Sequence, residues 1–293
     1  MIVLVNGKIA DPDSTLISPL DRGFLYGDGC FETLRVAGGR PIELEAHLDR
    51  LAGSAETLRI PLFAHWSRLQ LSEQILAAIQ HDGGDSAIIR LSVSRGRAHR
   101  PGLSPRLAEG QPTVTIIVIP HQPLAASQYR RGISAIVSRY RRIPAECIPV
   151  EAKATHYLPG ILATAEAEEA GADEAIMLDI HGQVAETTVA NLFWCAGGTL
   201  FTPDPSTGLL PGITRRAILE LASEAGFSVH EVCAPALALA SADEIFITKT
   251  SVGVLSITRL DRIAVGAGVQ GPVSAELLRR YLARYRISLE ATE

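Results

Sequence analysis

The sequence of 293 residues contains very little lysine. Only Lys8, Lys153 and Lys249 occur, and arginine supplies nearly all of the other basic charge. Arginine keeps its proton under ordinary conditions, so any chemistry that needs a neutral amine has few candidates in this chain. Lys153 stands alone in the long interval between the other two lysines and directly precedes an apolar stretch. It is therefore the first candidate for a reactive amine.

Cysteine motifs and long apolar runs are also lacking. The four cysteines, Cys30, Cys147, Cys195 and Cys233, lie far apart and form no CxxC motif. This spacing argues against a disulfide framework and a zinc knuckle, and it predicts a reducing, cytoplasmic compartment. No run of about 18 apolar residues occurs and the N-terminus lacks the features of a signal peptide, so we expect a soluble protein without a membrane span.

The charge balance argues against a nucleic-acid partner. The net charge is -5 and the isoelectric point is near 5.9, so the long-range field would repel a polyanion. Arginines nevertheless concentrate in two places, and such clusters suit small anions better than a duplex. The clusters are Arg95, Arg97, Arg100, Arg106 and Arg139, Arg141, Arg142.

The pattern of helices and strands predicts two domains of the mixed α+β class. Residues 44–59 have apolar positions at helical spacing, and short strands alternate with helices over the first 120 residues. Pro120 and Pro123 then indicate a linker. We predict a small N-terminal α/β domain over residues 1–121 and a larger C-terminal domain over residues 122–293.

Local signals predict several elements of the second domain. A helix is expected from Leu158 to Ala170, with Gly171 as its left-handed stop. The segments EAIMLDI and QVAETTVANLFW flank the turn dipeptide His181-Gly182 and should pair as a hairpin. Strands are more numerous than a regular βαβ repeat requires, which favours mixed sheets with helices over a doubly wound sheet.

Lys153 has two interpretations. If apolar neighbours desolvate it, its pKa falls and the neutral amine can attack a carbonyl to form a Schiff base, which arginine cannot do. The alternative is an ordinary solvated lysine in front of a helix. The choice between them depends on whether the chain also has a site for a carbonyl cofactor such as pyridoxal phosphate.

Four further features match the needs of that cofactor, and the first three each have a structural alternative. Residues 209–215 (LLPGITR) predict a helix N-terminus that could bind phosphate, or a plain glycine-capped helix. Glu186, in an apolar strand, could pair with the pyridine nitrogen or face water. Arg50 could grip a phosphate or be solvated. Thr248, Thr250 and Ser251 follow a strand and could add donors.

The order of motifs along nearly the whole chain resembles the fold-type IV pyridoxal phosphate enzymes, also called class IV aminotransferases. The motifs are GFLYGDGCFETLR, AHLDRL, SRGRAHRPG, KATHYL, ADEAIMLDIHGQVAETTVANLFW, LLPGITR and ADEIFITKT. The resemblance implies a homodimer of two-domain subunits, with each active site at the domain junction and partly closed by the neighbouring subunit. It also implies pyridoxal 5'-phosphate as the cofactor.

The same resemblance implies a role for each matching residue. Lys153 would bear the internal aldimine and shuttle protons, and Glu186 would pair with the pyridine nitrogen. Tyr157 would contact the cofactor's phenolic oxygen, and Leu210 would pack on the ring. The residues implied to hold the phosphate are Arg50, Ile213, Thr214, Thr250 and Ser251. Phe31 and Arg100 would face the substrate, with Arg100 as a carboxylate clamp.

Members of this family differ in reaction. GDGCFETLR, the run from Arg95 to Leu103, and ETTVANLFW are more similar to 4-amino-4-deoxychorismate lyase, which forms 4-aminobenzoate and pyruvate for folate biosynthesis. His156-Tyr157 is more similar to a transaminase. D-amino acid aminotransferases usually have an Arg-x-His pair where this chain has Arg100-Pro101-Gly102. We therefore expect the lyase first and a branched-chain or D-amino acid aminotransferase, with 2-oxoglutarate or pyruvate as acceptor, as the alternative.

Other classes of function are weaker or stay open. A catalytically silent protein that only binds pyridoxal phosphate would form the same covalent link without turnover. The eight histidines show no metal-ligand spacing, so no metal is expected. A Ser/His/Asp triad stays open, because its members need not be adjacent in sequence.

Overall fold

The computed structural model describes residues 1–14, 17–82 and 84–289. The chain divides into two compact units, of which the first consists of Met1–Gln122 and Glu151–His156 and the second of Pro123–Val150 and Tyr157–Glu293. The sequence predicted that the chain passes once from the first domain to the second, near residue 122. The division adds a short piece, here called the return segment (residues 151–156), that belongs to the first unit and contains Lys153.

The first unit is an antiparallel sheet with helices. Its six strands lie in the order β2-β1-β6-β5-β3-β4, and every neighbouring pair is antiparallel. The elements are β1 (Ile2–Val5), β2 (Lys8–Ala10), α1 (Arg22–Tyr26), β3 (Gly29–Ala37), β4 (Arg40–Pro41), α2 (Leu44–Thr57), α3 (Arg68–Asp82), β5 (Ser86–Ser94) and β6 (Thr113–Pro120).

The apolar core of the first unit explains which residues of its strands are buried. In β5 buried and half-buried residues alternate strictly, because successive side chains point to opposite faces of a sheet. Leu34 and Val36 of β3 and Leu48 and Leu51 of α2 belong to one apolar cluster. The helix predicted over residues 44–59 is thus confirmed as α2, and its apolar stripe packs toward the sheet.

The second unit is a larger mixed sheet with helices. Its elements are α4 (Ala126–Arg131), β7 (Ile133–Arg141), α5 (Leu158–Glu169), β8 (Glu174–Leu178), β9 (Val184–Thr187), β10 (Asn191–Ala196), β11 (Thr199–Pro203), α6 (Ile213–Glu224), β12 (Val229–Val232), β13 (Glu244–Lys249), β14 (Gly253–Leu260), β15 (Ile263–Ala264) and α7 (Pro272–Arg284). The strand order is β12-β11-β10-β13-β14-β7-β8-β9, with β15 on β14.

This sheet closes on itself at one strand. β9 pairs with β8 and also with β10, where Asn191 lies opposite Glu186. Six strands, β10, β13, β14, β7, β8 and β9, therefore form a ring. β7 runs parallel to β8 and β14, and the other contacts in the ring are antiparallel. Both units together confirm the predicted α+β class with mixed sheets.

The predicted elements of the second unit are confirmed with one difference. α5 begins at Leu158 with Pro159 in its first turn, and Gly171 has a positive φ of 72° after its end. β8 and β9 form the predicted hairpin. However, QVAETTVANLFW is two strands rather than one, because a turn at residues 188–190 separates β9 from β10. Among the described residues, no helix combines the length and apolarity that crossing a bilayer requires.

Candidate active site

Lys153 is fixed through its backbone within the first unit. Its N–H donates to Ser54 Oγ of α2 at 3.0 Å, and its carbonyl accepts the N–H of Phe31 from β3 at 2.9 Å. Ala154 forms a bridge with Cys30, and the N–H of Thr155 donates to the Gly29 carbonyl. The return segment thus pairs with β3 like a short extra strand, which holds the lysine in one place.

The Lys153 amine lies beside an aromatic ring and a second cation. Its Nζ is 4.6 Å from the centre of the Phe31 ring, and Arg90 Cζ is 3.7 Å from the same centre. Phe31 is buried, whereas both cations are half-buried. This placement differs from a lysine solvated on a helix surface, and it brings together the predicted catalytic residue Lys153 and the predicted substrate-side residue Phe31.

Arg50 lies in a buried ionic cluster on the same helix as Ser54. Its Nε and Nη2 each donate at 2.7 Å to the Glu32 carboxylate, and His47 Nδ1 lies 2.7 Å from Glu32 Oε2. Burial would raise the pKa of Glu32, but the hydrogen bonds from Arg50 and His47 lower it to about 2. Burial lowers the pKa of His47. Glu32 is therefore a carboxylate and His47 a neutral ring near neutral pH.

Arg100, the second predicted substrate-side residue, lies on an exposed loop of the first unit. Arg22 holds this loop by donating to the carbonyls of Gly102 at 2.8 Å and Leu103 at 3.0 Å. The N–H of Gly102 donates to the hydroxyl of Tyr26 at 2.7 Å. Within this unit, Arg90 rather than Arg100 is the arginine that stacks on Phe31.

Glu186 is buried in the second unit, which excludes the solvated-edge alternative for this side chain. Arg142 Nη2 lies 3.0 Å from Oε1. The other oxygen, Oε2, accepts the Asn191 side-chain amide at 3.1 Å and the Leu210 N–H at 3.2 Å. Three donors, one of them a cation, favour the ionised carboxylate. The site thus offers a buried negative charge of the kind that a protonated ring nitrogen requires.

The start of α6 lies next to this carboxylate. The Asn191 amide that contacts Glu186 also donates to the Leu210 carbonyl at 2.8 Å. Gly212 caps α6 without a side chain, and a Cβ at this position would collide with Asn191 Oδ1. The Ile213 and Thr214 backbone therefore begins a helix whose first N–H groups have no side-chain cap, the arrangement that favours an anion.

A buried hydroxyl lies on the strand next to Asn191. Thr248 of β13 is opposite Asn191 in register, and its Oγ1 has no hydrogen-bond partner among the described residues. Such a group costs free energy unless a ligand or water satisfies it. Thr250 and Ser251 follow in the tight turn between β13 and β14 and are half-buried. All three hydroxyls thus belong to the end of β13 and its turn.

The remaining predicted residues also lie in the second unit. Tyr157 directly precedes α5 and is half-buried. Leu210 is half-buried and lies beside Glu186 through its own N–H. The structure therefore brings Glu186, Leu210, Ile213 and Thr214 into one contiguous region of this unit.

Taken unit by unit, these residues fit pyridoxal 5'-phosphate. The first unit supplies Arg50 and a lysine amine whose backbone is held by hydrogen bonds on both sides. The second supplies a buried carboxylate, an uncapped helix N-terminus and the unpartnered hydroxyl of Thr248. These are the functions that the cofactor requires of a protein: an imine-forming amine, a partner for the ring nitrogen and donors for a phosphate. No cluster of three metal-ligating side chains occurs within residues 1–14, 17–82 and 84–289.

Several residues of these clusters were not identified from the sequence. Glu32 and His47 surround Arg50, Arg142 and Asn191 surround Glu186, and Arg90 stacks on Phe31. One signal was available: Glu32 stands in phase with the buried positions Cys30 and Leu34 in CFETLR, where a charged residue requires a partner. Arg142 was noted only as a member of an arginine cluster, and nothing in the sequence indicated its pairing with Glu186, because the two positions lie far apart.

Comparison with known sequences identifies relatives over nearly the whole chain. A family model described as amino-transferase class IV matches residues 29–260. A putative branched-chain-amino-acid aminotransferase of Methanocaldococcus jannaschii is 35% identical over 283 residues, which cover 96% of this chain and 95% of the relative. A D-alanine aminotransferase of Bacillus licheniformis is 32% identical over 281 residues (94% and 93%). An aminodeoxychorismate lyase of Bacillus subtilis is 30% identical over 267 residues (91% and 89%).

Solved structures give the same result. The branched-chain amino acid aminotransferase of Escherichia coli superposes with a TM-score of 0.89 at 30% identity, covering 97% of this chain and 94% of that one. The branched-chain amino acid aminotransferase of Thermoproteus uzoniensis with norvaline gives 0.85 at 28% identity, covering 96% and 93%. The resemblance inferred from the motifs is confirmed, and so is the fold-type IV architecture.

Proposed function

The chain belongs to the class IV aminotransferase family, and from this membership we propose that it transfers an amino group from an amino acid to a 2-oxo acid. Class IV aminotransferases use pyridoxal 5'-phosphate, which agrees with the predicted cofactor. The observation that carries the proposal is the position of Lys153, whose backbone is pinned on both sides and whose amine lies beside the Phe31 ring.

The relatives favour an aminotransferase over the lyase that the motifs suggested. Full-length matches to aminotransferases reach 35% and 32% identity, whereas the aminodeoxychorismate lyase matches at 30%. The motifs that suggested the lyase occur in a chain that matches aminotransferases at higher identity. They therefore identify the family and do not decide the reaction.

In this proposal Lys153 would hold the cofactor through Nζ in the resting protein, and its amine, once the substrate's amino group has replaced it there, would move the proton of the substrate. Bound pyridoxal phosphate withdraws electrons from the substrate's α-carbon and so makes its hydrogen removable as a proton. A lysine amine can accept this proton and return it, which a permanently charged arginine cannot do. Pinning of the Lys153 backbone limits the positions that Nζ can reach, and this favours transfer between fixed atoms.

Glu186 and the start of α6 would bind two other groups of the cofactor, the pyridine nitrogen and the phosphate. We propose that Glu186 pairs with the pyridine nitrogen, supported by its burial and by the donors that keep it ionised. Ile213, Thr214, Thr250 and Ser251 would donate to the phosphate together with Arg50. Thr248 joins this set because its buried hydroxyl lacks a partner among the described residues.

The substrate's carboxylate is assigned differently from the sequence prediction. We propose Arg90 as the main contact for an acidic substrate such as 2-oxoglutarate, because it stacks on the ring that Lys153 also contacts. Arg100 is exposed on its loop, which is held by Arg22. Arg90→Gln should therefore raise KM for 2-oxoglutarate much more than for pyruvate, and Arg100→Gln should have the smaller effect.

One sequence feature supports D-amino acids as a second class of donor. The Arg-x-His pair usual in D-amino acid aminotransferases is missing at Arg100, but Arg97-Ala98-His99 provides this triplet at the preceding positions. Arg97 and His99 are exposed on the same loop, and His99 Nδ1 lies 3.7 Å from Glu109. D-alanine is therefore tested beside the branched-chain L-amino acids.

We also propose a homodimer in the cytoplasm. The resemblance to the family implies the dimer, and four free cysteines are compatible with a reducing compartment. Light scattering of the full chain checks the oligomeric state. A monomer at micromolar concentration would contradict the proposed dimer, but it would not bear on the proposed reaction.

The reaction is tested by product identity. The full-length protein with pyridoxal phosphate receives L-leucine or D-alanine with 2-oxoglutarate, and separately aminodeoxychorismate. Formation of glutamate supports the aminotransferase, whereas formation of 4-aminobenzoate and pyruvate would establish the lyase. If the cofactor binds and neither set of products forms, the chain is a silent binder.

The role of the lysine is tested by trapping. Borohydride reduction of the loaded protein followed by peptide mass spectrometry should place the cofactor on Lys153. Lys153→Ala should lose both the label and turnover, while the matched control Lys249→Ala should keep the label at Lys153. A label on Lys8 or Lys249 in the unchanged chain would overturn the assignment.

A further inference from the structure

We propose that Glu32 is a positioning residue for Arg50: it holds the guanidinium in the orientation from which Arg50 binds the cofactor's phosphate. The inference rests on the proposed function, because it takes Arg50 as a phosphate contact. Glu32 acts only through Arg50 in this proposal and touches neither cofactor nor substrate.

The geometry of the Glu32–Arg50 pair fixes the orientation of the guanidinium. Arg50 Nε donates to Glu32 Oε1 and Arg50 Nη2 to Glu32 Oε2, both at 2.7 Å. Two parallel bonds between planar groups fix the plane of the guanidinium, which a single bond cannot do. Glu32 itself has no exposed surface, because it is held in β3 between buried neighbours. An arginine side chain otherwise samples many rotamers, and ordering it at binding would cost affinity.

His47 completes the surroundings of the carboxylate. It lies three residues before Arg50 on α2 and contacts Glu32 Oε2 through Nδ1 at 2.7 Å. Its buried ring is neutral near neutral pH, so the cluster contains one negative and one positive charge. Glu32 thus offsets the charge that Arg50 would present to a phosphate. What Glu32 can add to phosphate binding is orientation rather than charge.

The same helix connects this cluster to the lysine. Ser54, one turn after Arg50 on α2, accepts the N–H of Lys153 at 3.0 Å. Arg50 and Lys153, the two residues that would contact the cofactor from the first unit, are therefore both positioned by α2. Arg50 is fixed through Glu32 and Lys153 through Ser54, so the orientation of the guanidinium relative to the lysine backbone is set before any ligand binds.

The proposal makes a prediction opposite in sign to simple electrostatics. Glu32→Gln removes a negative charge beside Arg50, and by Coulomb attraction alone this should strengthen phosphate binding. Loss of orientation should weaken it. The readout is the ratio of the dissociation constants of pyridoxal and pyridoxal phosphate, measured on the full-length chain from which the cofactor has been removed. Only an effect on the phosphate changes this ratio.

Four proteins give the comparison: the unchanged chain, Glu32→Gln, Arg50→Gln and the double variant. We expect Glu32→Gln to lower the ratio by roughly tenfold, toward the value in Arg50→Gln. The double variant should then be no lower than Arg50→Gln, because both changes remove one function. His47→Asn is the matched control. It removes the other contact to Glu32 without touching Arg50 and should leave the ratio within about twofold of the unchanged chain.

The outcomes separate this inference from the proposed function. If Arg50→Gln lowers the ratio and Glu32→Gln does not, or raises the affinity for pyridoxal phosphate, the positioning role is overturned while the proposed function stands. An equal loss of affinity for both ligands in Glu32→Gln also overturns it, since that is the result of a merely structural residue. If the unchanged chain binds neither ligand, the proposed function itself fails.

A second variant avoids dependence on the folding of Glu32→Gln. Arg50→Lys keeps the positive charge and the buried carboxylate but cannot form the two-bond fork. We expect its ratio to fall about as far as that of Arg50→Gln. A ratio equal to that of the unchanged chain would show that charge without orientation is sufficient, and this result overturns the proposal.

Discussion

Acid should break the pairing of Glu32 in the first unit, and the structure gives the size of the effect. Burial would raise the pKa of Glu32, but the hydrogen bonds from Arg50 and His47 lower it from 4.5 to about 2. Because the pKa is depressed in the folded chain, this stabilisation is present above about pH 4.5 and is lost as the pH falls toward 2. At about 1.4 kcal/mol per pH unit it amounts to about 3 kcal/mol, of which close to 2 kcal/mol disappears between about pH 5 and pH 3.

The two tryptophans make this measurable unit by unit. Trp66 packs against the core of the first unit and Trp194 lies in the second, so Trp194→Phe leaves a fluorescent reporter of the first unit alone. The free energy of unfolding is measured with urea at about pH 5 and pH 3, for the Trp194→Phe protein and for the same protein with Glu32→Gln. The chain with Glu32 should lose about 2 kcal/mol more than the variant.

A matched control uses a carboxylate that is not buried. Glu45→Gln changes an exposed residue of α2, the helix that carries Arg50 and His47, and Glu45 pairs there with the partly exposed Arg68. This variant should show the same dependence on pH as the unchanged chain, since exposed ion pairs contribute little. An equal loss of stability between the two pH values in Glu32→Gln and in its parent would refute the reasoning.

Three further substitutions test the surroundings of the cofactor and the helix beside it. Gly212→Ala introduces a Cβ that collides with Asn191, so pyridoxal phosphate affinity in a fluorescence titration should fall by roughly tenfold; unchanged affinity would remove the glycine from the site. Gly53→Ala adds a Cβ with no atom within 4 Å inside α2, and urea unfolding of the first unit should show a gain of about 0.5–1 kcal/mol rather than a loss. Thr248→Val removes a buried hydroxyl without a partner among the described residues, so the cofactor-free chain should melt no lower while pyridoxal phosphate binds more weakly; equal affinity would contradict a phosphate contact.

Elements with a local pattern could be predicted from the sequence. The apolar spacing of residues 44–59 and the signals around Leu158 and Gly171 each determine a helix over a few turns, and both helices are observed. The split of QVAETTVANLFW was missed because its turn contains neither glycine nor proline. There the N–H and hydroxyl of Thr187 both donate to the Ala190 carbonyl, which closes the turn without those residues.

For the site, too, features with a local sequence signal could be predicted, whereas contacts between distant positions could not. Lys153 could be singled out from its isolation in the sequence, and Glu186 from its apolar strand. Their pairings could not be predicted, because Phe31 with Lys153 and Arg142 with Glu186 are joined only by tertiary structure. The stacking of Arg90 on Phe31 could not be predicted for a related reason, since an arginine within a strand gives no sign of which ring it contacts.

The pairing of the return segment with β3 affects how the chain can be dissected. A cut between Gln122 and Pro123 would place Lys153 on the C-terminal fragment, although its folded neighbours Phe31 and Ser54 would remain on the other. A recombinant fragment ending at residue 122 would expose the bare backbone of β3 where Lys153 normally covers the Phe31 N–H. Supplying residues 151–156 as a separate peptide is therefore the natural complementation experiment for this half of the protein.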